Sequence, residues 1–168
     1  QGKPDLLVNL PARLRAYRAS NPDNLRIVVL IDEDREDCKA LKEQLEKAAK
    51  QAGLVTRTSK KGQNPFQVLN RLAIEELEAW FFGDVLAVKA AYPRIPATLG
   101  KKAKYRDPDS IVGGTWEALE RELKKAGYYP TGMPKIEVSR SVSRHMDVER
   151  NRSHSFQVFM SGLKACIV

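Results

Sequence analysis

The chain has 168 residues, of which 42% are hydrophobic and 30% are charged, and its formal net charge is +8. This length suits a single hydrophobic core, so we expect one domain over residues 1–168. No apolar run approaches the roughly 18 to 20 residues that cross a bilayer, and the N-terminus lacks a signal-peptide pattern. Cys38 and Cys166 suggest neither a disulfide framework nor a zinc site. The composition therefore predicts a soluble, cytoplasmic protein with no membrane partner, and the positive charge favours nucleic acid.

The first half of the chain alternates helical and extended patterns. Apolar residues at helical spacing predict a helix over residues 4–16. A continuous apolar run over 27–31 predicts a strand buried on both faces, and leucines and alanines over 36–52 predict an amphipathic helix that ends at Gly53. Two further strands are predicted over 54–59 and 66–73. Turns or loops are expected at residues 20–23 and 60–65.

The second half is predicted to be mostly helical. A helix over 75–91 directly follows the last strand, and its apolar residues define a buried stripe. Residues 93–114 contain prolines, glycines and lysines and predict a long, loosely held connection in which Asp107 starts at most a short helix. Three more helices are predicted over 116–126, 135–142 and 155–167.

The first feature that could carry chemistry is the pair of acids at the end of the first strand. Residues i and i+2 of an extended segment share a side, so Asp32 and Asp34 are expected to face one hard cation. Open α/β sheets bind ligands at the carboxyl ends of their strands, where this pair falls. The alternative is structural, because Asp34 and Asp37 are also suited to start the following helix.

The second feature is the acidic segment that follows the last predicted strand. Glu75 lies opposite the buried stripe of the predicted helix, whereas Glu76 and Glu78 flank it and should be half-buried. Such acids need a partner, and a metal ion, a basic residue such as Arg71 and a helix N-terminus are all suitable. The alternative is that these acids only complement the helix dipole.

The third feature is a set of basic residues in two parts of the chain. Lys101, Lys102 and Lys104 occur without an intervening acid, and Arg150 and Arg152 lie near the start of the last predicted helix. Two interpretations remain open, a surface that binds phosphate groups and an ordinary solvated face. His154 is likewise suited either to bind phosphate or to cap the helix.

Several of these segments resemble the bacterial DUF4276 family, and the likeness spans nearly the whole chain. The most specific block contains the sequence Glu-Leu-Glu-Ala-Trp. The matching segments are residues 27–34 with Cys38 and Leu41, 70–81 (NRLAIEELEAWF), 113–117 (GGTWE), 151–153 (NRS) and 155–159 (SFQVF).

The resemblance implies a Toprim-like α/β fold, in which a central, mostly parallel sheet is flanked by helices and the C-terminal part is helical. Toprim proteins pair a D-x-D motif with a glutamate after an earlier strand. Asp32 and Asp34 match the D-x-D motif, and the glutamate has no match here. We therefore expect a strand ending in glutamate upstream of Gln1, in a longer form of the protein.

The implied activity is nuclease-type phosphoryl transfer on nucleic acid with Mg²⁺ or Mn²⁺, in a phage-defence system with an ATPase. In that scheme Asp32, Asp34, Glu76 and Glu78 are catalytic, with Asp32, Asp34 and Glu78 as metal ligands. A non-catalytic partner or regulatory module of an ATPase is the alternative, and a homodimer is compatible with either. A doubly wound phosphate-binding domain is disfavoured, because no glycine-rich loop follows a strand. The residues expected to contact backbone phosphates are Lys101, Lys102, Lys104, Arg150 and Arg152.

Overall fold

The computed structural model describes residues 2–20, 25–61 and 65–167 of a mixed α/β protein. These residues contain seven α-helices and a parallel sheet of two strands. The chain separates into two compact units. Unit 1 comprises residues 1–72 and 159–168, and unit 2 comprises residues 73–158. Parts of the turn predicted at 20–23 and of the loop predicted at 60–65 lie outside the described residues.

Unit 1 contains the sheet and the helices that flank it. The register of the strands is set by the backbone N–H of Ile27, which donates to the carbonyl of Gln67 over 2.7 Å. The core of unit 1 comprises leucines of its two N-terminal helices together with Val29 and Ile31 of its first strand. The elements are α1 (Lys3–Ser20), β1 (Ile27–Asp32), α2 (Cys38–Gln51) and β2 (Val68–Ala73).

Helix α2 confirms its predicted pattern and shows why it starts and stops where it does. The Asp37 carboxylate accepts the backbone N–H groups of Lys39 at 2.8 Å and Ala40 at 3.1 Å, which satisfies donors that the first turn leaves unpaired. At the other end Gly53 has φ +68°, a conformation that side chains with a Cβ rarely adopt. Asp37 is therefore the helix cap that the sequence offered as one alternative.

Two predictions for the strands of unit 1 are wrong. The β1 strand is not buried on both faces, because the core covers only the face of Val29 and Ile31 and leaves Val28 42% exposed. The strand predicted over 54–59 is a single bridge from Thr56 to Val68. The hydroxyls of Thr56 and Ser59 form a local turn by accepting each other's backbone N–H, and this turn competes with strand pairing.

Unit 2 is helical, and its core is formed by aromatic and aliphatic side chains. Phe82 and Tyr105 stack with their ring centroids 4.6 Å apart, and Leu119 and Leu123 are fully buried. The helices are α3 (Ala79–Gly83), α4 (Val85–Ala91), α5 (Thr115–Lys125), α6 (Lys135–Ser143) and α7 (His154–Ile167), whose last residues belong to unit 1.

The predicted helix over 75–91 is broken into α3 and α4. Glu75 has φ +58°, which is not helical, so α3 starts only at Ala79. Asp84 then interrupts the helix with φ −126°, and its carboxylate accepts the backbone N–H of Ala87 as the cap of α4.

None of the described helices is long and apolar enough to cross a membrane.

The prediction of a loosely held connection over 93–114 is also wrong. This segment contains three short 3₁₀ helices, and it buries Ile95, Leu99, Tyr105 and Ile111 in the core of unit 2. Apolar residues spaced irregularly among lysines give no helical period, which is why the sequence pattern missed them. The 3₁₀ helices are Leu99–Lys101, Ala103–Tyr105 and Pro108–Ser110.

Candidate functional site

Unit 2 has a cavity of about 300 Å³ whose wall contains three of the five predicted phosphate contacts. Lys101 comes from the first 3₁₀ helix, and Arg150 and Arg152 come from the segment before α7. Lys101 precedes Arg150 by 49 positions and Arg152 by 51, so the fold of unit 2 brings the lysine to the two arginines. The rest of the lining is small or apolar except for Asp84.

Asp84 fixes the position of Arg150. The Asp84 side chain is fully buried, and it accepts Nε of Arg150 at 2.7 Å and Nη2 at 2.9 Å. The backbone N–H groups of Ala87 and Asp147 donate to the same carboxylate. Burial raises the pKa of Asp84, but these hydrogen bonds outweigh burial and hold the pKa below its ordinary 3.8. The carboxylate is therefore ionised at neutral pH and neutralises Arg150.

A close approach of two segments explains why Arg152 reaches the cavity. The Asn151 side chain is buried and donates to the carbonyl of Trp80 over 2.8 Å, and the backbone N–H of Arg152 donates to the carbonyl of Gly83 over 3.0 Å. A Cβ on residue 83 would lie 2.0 Å from Oδ1 of Asn151, so only glycine fits there. A Cβ on Gly100 would likewise lie 2.8 Å from Nη2 of Arg152.

The start of α7 shows which of its residues are structural. The Ser153 hydroxyl accepts the backbone N–H of Phe156 over 3.1 Å, and Asp109 accepts the N–H of Ser155 over 3.0 Å. These bonds cap the helix, while His154 is exposed in its first turn. The residues that cap α7 are therefore Ser153 and Asp109.

Lys102 and Lys104 are placed away from this cavity. Both bind the carboxylate of Glu122, Lys102 with Nζ at 2.7 Å and Lys104 at 3.4 Å, and Glu122 also accepts the hydroxyl of Tyr105 at 2.9 Å. Only 5% of the Glu122 side chain is exposed. These two lysines therefore balance a buried charge and hold the lysine-rich segment onto α5.

The charges around the cavity leave a positive excess. Three cations and the single carboxylate of Asp84 give a sum of +2 among the lining residues. Arg150 is balanced by Asp84, so the excess is carried by Lys101 and Arg152. The backbone N–H of Lys101 donates to the carbonyl of Thr98 over 2.9 Å, whereas its ammonium makes no hydrogen bond or ion pair in the described part of the chain. A concave surface with this charge attracts phosphate groups without selecting a base.

The predicted acidic site in unit 1 has a different geometry from the one expected. The strand ends at Asp32, and the chain then turns through two left-handed residues, Asp34 with φ +53° and Arg35 with φ +63°. The backbone is therefore not extended through Asp34, and the argument that residues i and i+2 share a side does not apply. Asp34 lies on a turn with its side chain 47% exposed.

A cation from the chain itself lies at this strand end. The ammonium of Lys3 is within 2.8 Å of Oδ2 of Asp34 and 2.6 Å of Oε1 of Glu36. It also donates to the main-chain oxygens of Asp32 and Glu33, each over 3.1 Å. Burial lowers the pKa of Lys3, but the hydrogen bonds to Asp34 and Glu36 outweigh it and raise the pKa above 10.5. The ammonium is therefore charged at neutral pH.

Glu76 and Glu78 belong to unit 2, and Glu76 has a structural role there. Its carboxylate accepts the backbone N–H of Trp116 at 2.8 Å and the hydroxyl of Thr115 at 3.0 Å. These bonds cap α5, whose preceding residue, Gly114, has no side chain to do so. Glu78 is buried at the start of α3, with 8% of its surface exposed.

The divalent metal implied by the resemblance does not fit the residues at the strand end. Oxygens of the kind that Mg²⁺ and Mn²⁺ prefer converge there, but they converge on the ammonium of Lys3. Within the described ranges, no three His, Cys, Asp or Glu side chains gather in a way that could hold a metal ion.

The sequence prediction missed Lys3, Asp84, Gly100 and Glu122. Asp84 left a readable signal, because a lone acid between Phe82-Gly83 and Val85-Leu86 is a charge inside an apolar run and needs a buried partner. Lys3 and Gly100 left none, since their roles depend on side chains that are distant in sequence.

Together the fold and the cavity define a small α/β protein with a basic recess in its helical unit. The family model of DUF4276, a domain of unknown function, matches residues 2–164. The chain belongs to this family, as its motifs predicted. No curated protein and no solved structure matches the chain.

Proposed function

We propose that the chain is a nucleic-acid-binding module that holds backbone phosphates in the cavity of unit 2. The observation that carries this proposal is the convergence of Lys101, Arg150 and Arg152 on one recess with an excess charge of +2. Asp84 holds Arg150 in one orientation, so Lys101 and Arg152 supply the attraction and Arg150 shapes the wall.

Such a site contacts the sugar–phosphate backbone and does not read sequence. Binding should therefore be similar for different sequences and should weaken as salt rises, because each neutralised phosphate releases condensed counterions. The net charge of +8 adds a long-range attraction that speeds association at low salt.

The test is fluorescence anisotropy with labelled single-stranded DNA, duplex DNA and RNA at several salt concentrations. The double variant Lys101→Ala, Arg152→Ala should bind about tenfold more weakly at low salt, and its salt dependence should fall by about two phosphate contacts. The matched control is Lys89→Ala, Arg121→Ala, which removes the same two residue types from exposed positions of unit 2. Equal loss of binding in both double variants would contradict the proposal.

A second candidate is the Mg²⁺- or Mn²⁺-dependent phosphoryl transfer that the resemblance implies. One observation favours it, since main-chain and carboxylate oxygens gather around one cation at the carboxyl end of β1. The position of Lys3 argues against it. Metal-dependent cleavage of plasmid, linear DNA and RNA by the wild type and by Asp32→Ala, Asp34→Ala tests this function. Equal activity of the two proteins, after contaminants are removed, rejects this function.

An ATPase partner remains a prediction from the resemblance.

A further inference from the structure

We propose that the ammonium of Lys3 is the permanent counter-ion of the oxygens at the end of β1. Its ion pairs have a structural role, and they exclude divalent metal ions from this position. The inference concerns unit 1 and does not depend on nucleic-acid binding by unit 2. It assigns Asp34 and Glu36 to a site that joins the start of α1 to the end of β1.

The contacts of the ammonium support a built site. Lys3 is the first residue of α1, and its side chain is only 14% exposed although it carries a full charge. Four oxygens lie within 3.1 Å of Nζ, two from carboxylates and two from main-chain carbonyls. An ammonium has three N–H donors, so this set satisfies it fully within the protein.

The turn after β1 determines which oxygens converge. The left-handed residues Asp34 and Arg35 reverse the chain directly after the strand, so that the carbonyls of Asp32 and Glu33 and the later carboxylates of Asp34 and Glu36 contact one atom. Side chains with a Cβ adopt this conformation at a cost that the surrounding contacts must offset. Lys3 provides those contacts.

The same arrangement opposes a divalent ion. A metal ion sharing the carboxylates of Asp34 and Glu36 would lie beside a fixed positive charge in a half-buried site, where repulsion is stronger than in water. It would have to displace the ammonium and move the first turn of α1. The lysine therefore provides the charge neutralisation that a metal provides in a metal centre.

The test compares Mn²⁺ binding, measured from the free-ion signal in electron paramagnetic resonance, in three proteins. The wild type should bind Mn²⁺ at the strand end more weakly than about 1 mM, the weak end of protein divalent sites. Lys3→Met removes the adjacent charge and should bind at least about tenfold more tightly. The matched control, Lys39→Met, changes an exposed lysine of α2 and should behave like the wild type.

Thermal unfolding supplies a second measurement. Lys3→Met should lower Tm by roughly 3 to 6 °C, whereas Lys39→Met should stay within about 1 °C of the wild type. Lys3→Met with an unchanged Tm and no gain in Mn²⁺ affinity would overturn the proposal. If Lys3→Met does not fold, the wild type still decides: sub-millimolar Mn²⁺ binding that Asp34→Asn abolishes overturns the proposal, and its absence supports it. Nucleic-acid binding by the unit 2 cavity should be unchanged in Asp34→Asn, which keeps the two proposals separable.

Discussion

The acidic strand end of unit 1 and the basic cavity of unit 2 are both clusters of ion pairs, but their excess charges have opposite signs. In unit 1 two carboxylates, Asp34 and Glu36, are bridged by one lysine. In unit 2 one carboxylate, Asp84, is matched to one arginine while two further cations remain in the wall. The difference teaches that the acids of this chain organise its backbone, whereas the lining of its unit 2 cavity carries the excess positive charge.

Burial separates the two clusters energetically. The Asp84 side chain is fully buried, whereas Asp34 is 47% exposed. Water cannot solvate a buried charge that loses its partner, but it can solvate an exposed one. The following predictions use this contrast, from the largest expected effect to the smallest.

Asp84→Ala should lower the free energy of unfolding by about 3 kcal/mol, because it leaves Arg150 and two backbone N–H groups without their acceptor. Asp34→Ala in unit 1 should cost less than about 1 kcal/mol. Urea unfolding measures both. Asp147→Ala, which removes an exposed ion-pair partner of Arg150 and the exposed acceptor of the Glu149 N–H, is the control within unit 2. Similar losses for Asp84→Ala and Asp34→Ala would abolish the contrast.

Gly83→Ala should lower the free energy of unfolding by about 2 kcal/mol, since the added Cβ would meet Asn151 and the backbone N–H of Ser153. In unit 1 Gly162→Ala meets only the terminal methyls of Leu69 and a guanidinium nitrogen of Arg57. Leu69 is fully buried, so its methyl groups move only at a cost. Alanine favours the helix by roughly 1 kcal/mol and offsets part of that cost, so the net loss should be smaller than for Gly83→Ala. The same urea experiment compares the two, and a larger loss for Gly162→Ala would contradict the packing described for Gly83.

Acid should destabilise the protein through carboxylates in both units. Asp84 and Glu46 have pKa values below their ordinary 3.8 and 4.5, because hydrogen bonds outweigh the effect of burial. Their stabilisation is complete above those ordinary values and is lost as the pH falls through the depressed pKa values. Asp84→Asn and Glu46→Gln should each flatten the fall of stability below about pH 4, measured by urea unfolding at a series of pH values. A curve as steep as that of the wild type would count against the depressed pKa.

Gly100→Ala should lower the free energy of unfolding by less than about 1 kcal/mol, because the added Cβ meets the flexible end of Arg152 at 2.8 Å and one methyl of Val85 at 3.1 Å. It should nevertheless weaken nucleic-acid binding about threefold, or roughly 0.6 kcal/mol, since it displaces one of the two uncompensated cations. Gly2→Ala in unit 1, where the Cβ makes only an ordinary contact with Pro4, is the control. If anisotropy titrations show the same affinity for both variants, Arg152 does not contribute to binding.

The sequence predicted the elements whose signals are local. Strand β1, helix α2 with its cap at Asp37, and helices α5, α6 and α7 follow from apolar periodicity and from capping residues within a few positions. The break between α3 and α4 was missed because Asp84 reads as a helix residue until its partner, Arg150, is known. That partner lies 66 positions away.

The candidate site was predicted in part for the same reason. The five basic residues were chosen by their clustering in sequence, and three of them line the cavity. Lys102 and Lys104 bind Glu122 instead, and no local pattern reveals which lysine meets a buried acid 18 to 20 positions away. The function of Glu76 as the cap of α5 depends on a contact across 39 and 40 positions.

The segment that contains Lys101 bears on the speed of the proposed nucleic-acid binding. Its 3₁₀ helices are anchored by the buried ring of Tyr105 and by the lysines that hold Glu122, so this part of the cavity wall is ordered before any ligand arrives. A ligand then loses little affinity to the ordering of the protein, because the conformational entropy has already been given up during folding. Association should therefore be limited by diffusion and charge, without a slow rearrangement of the wall.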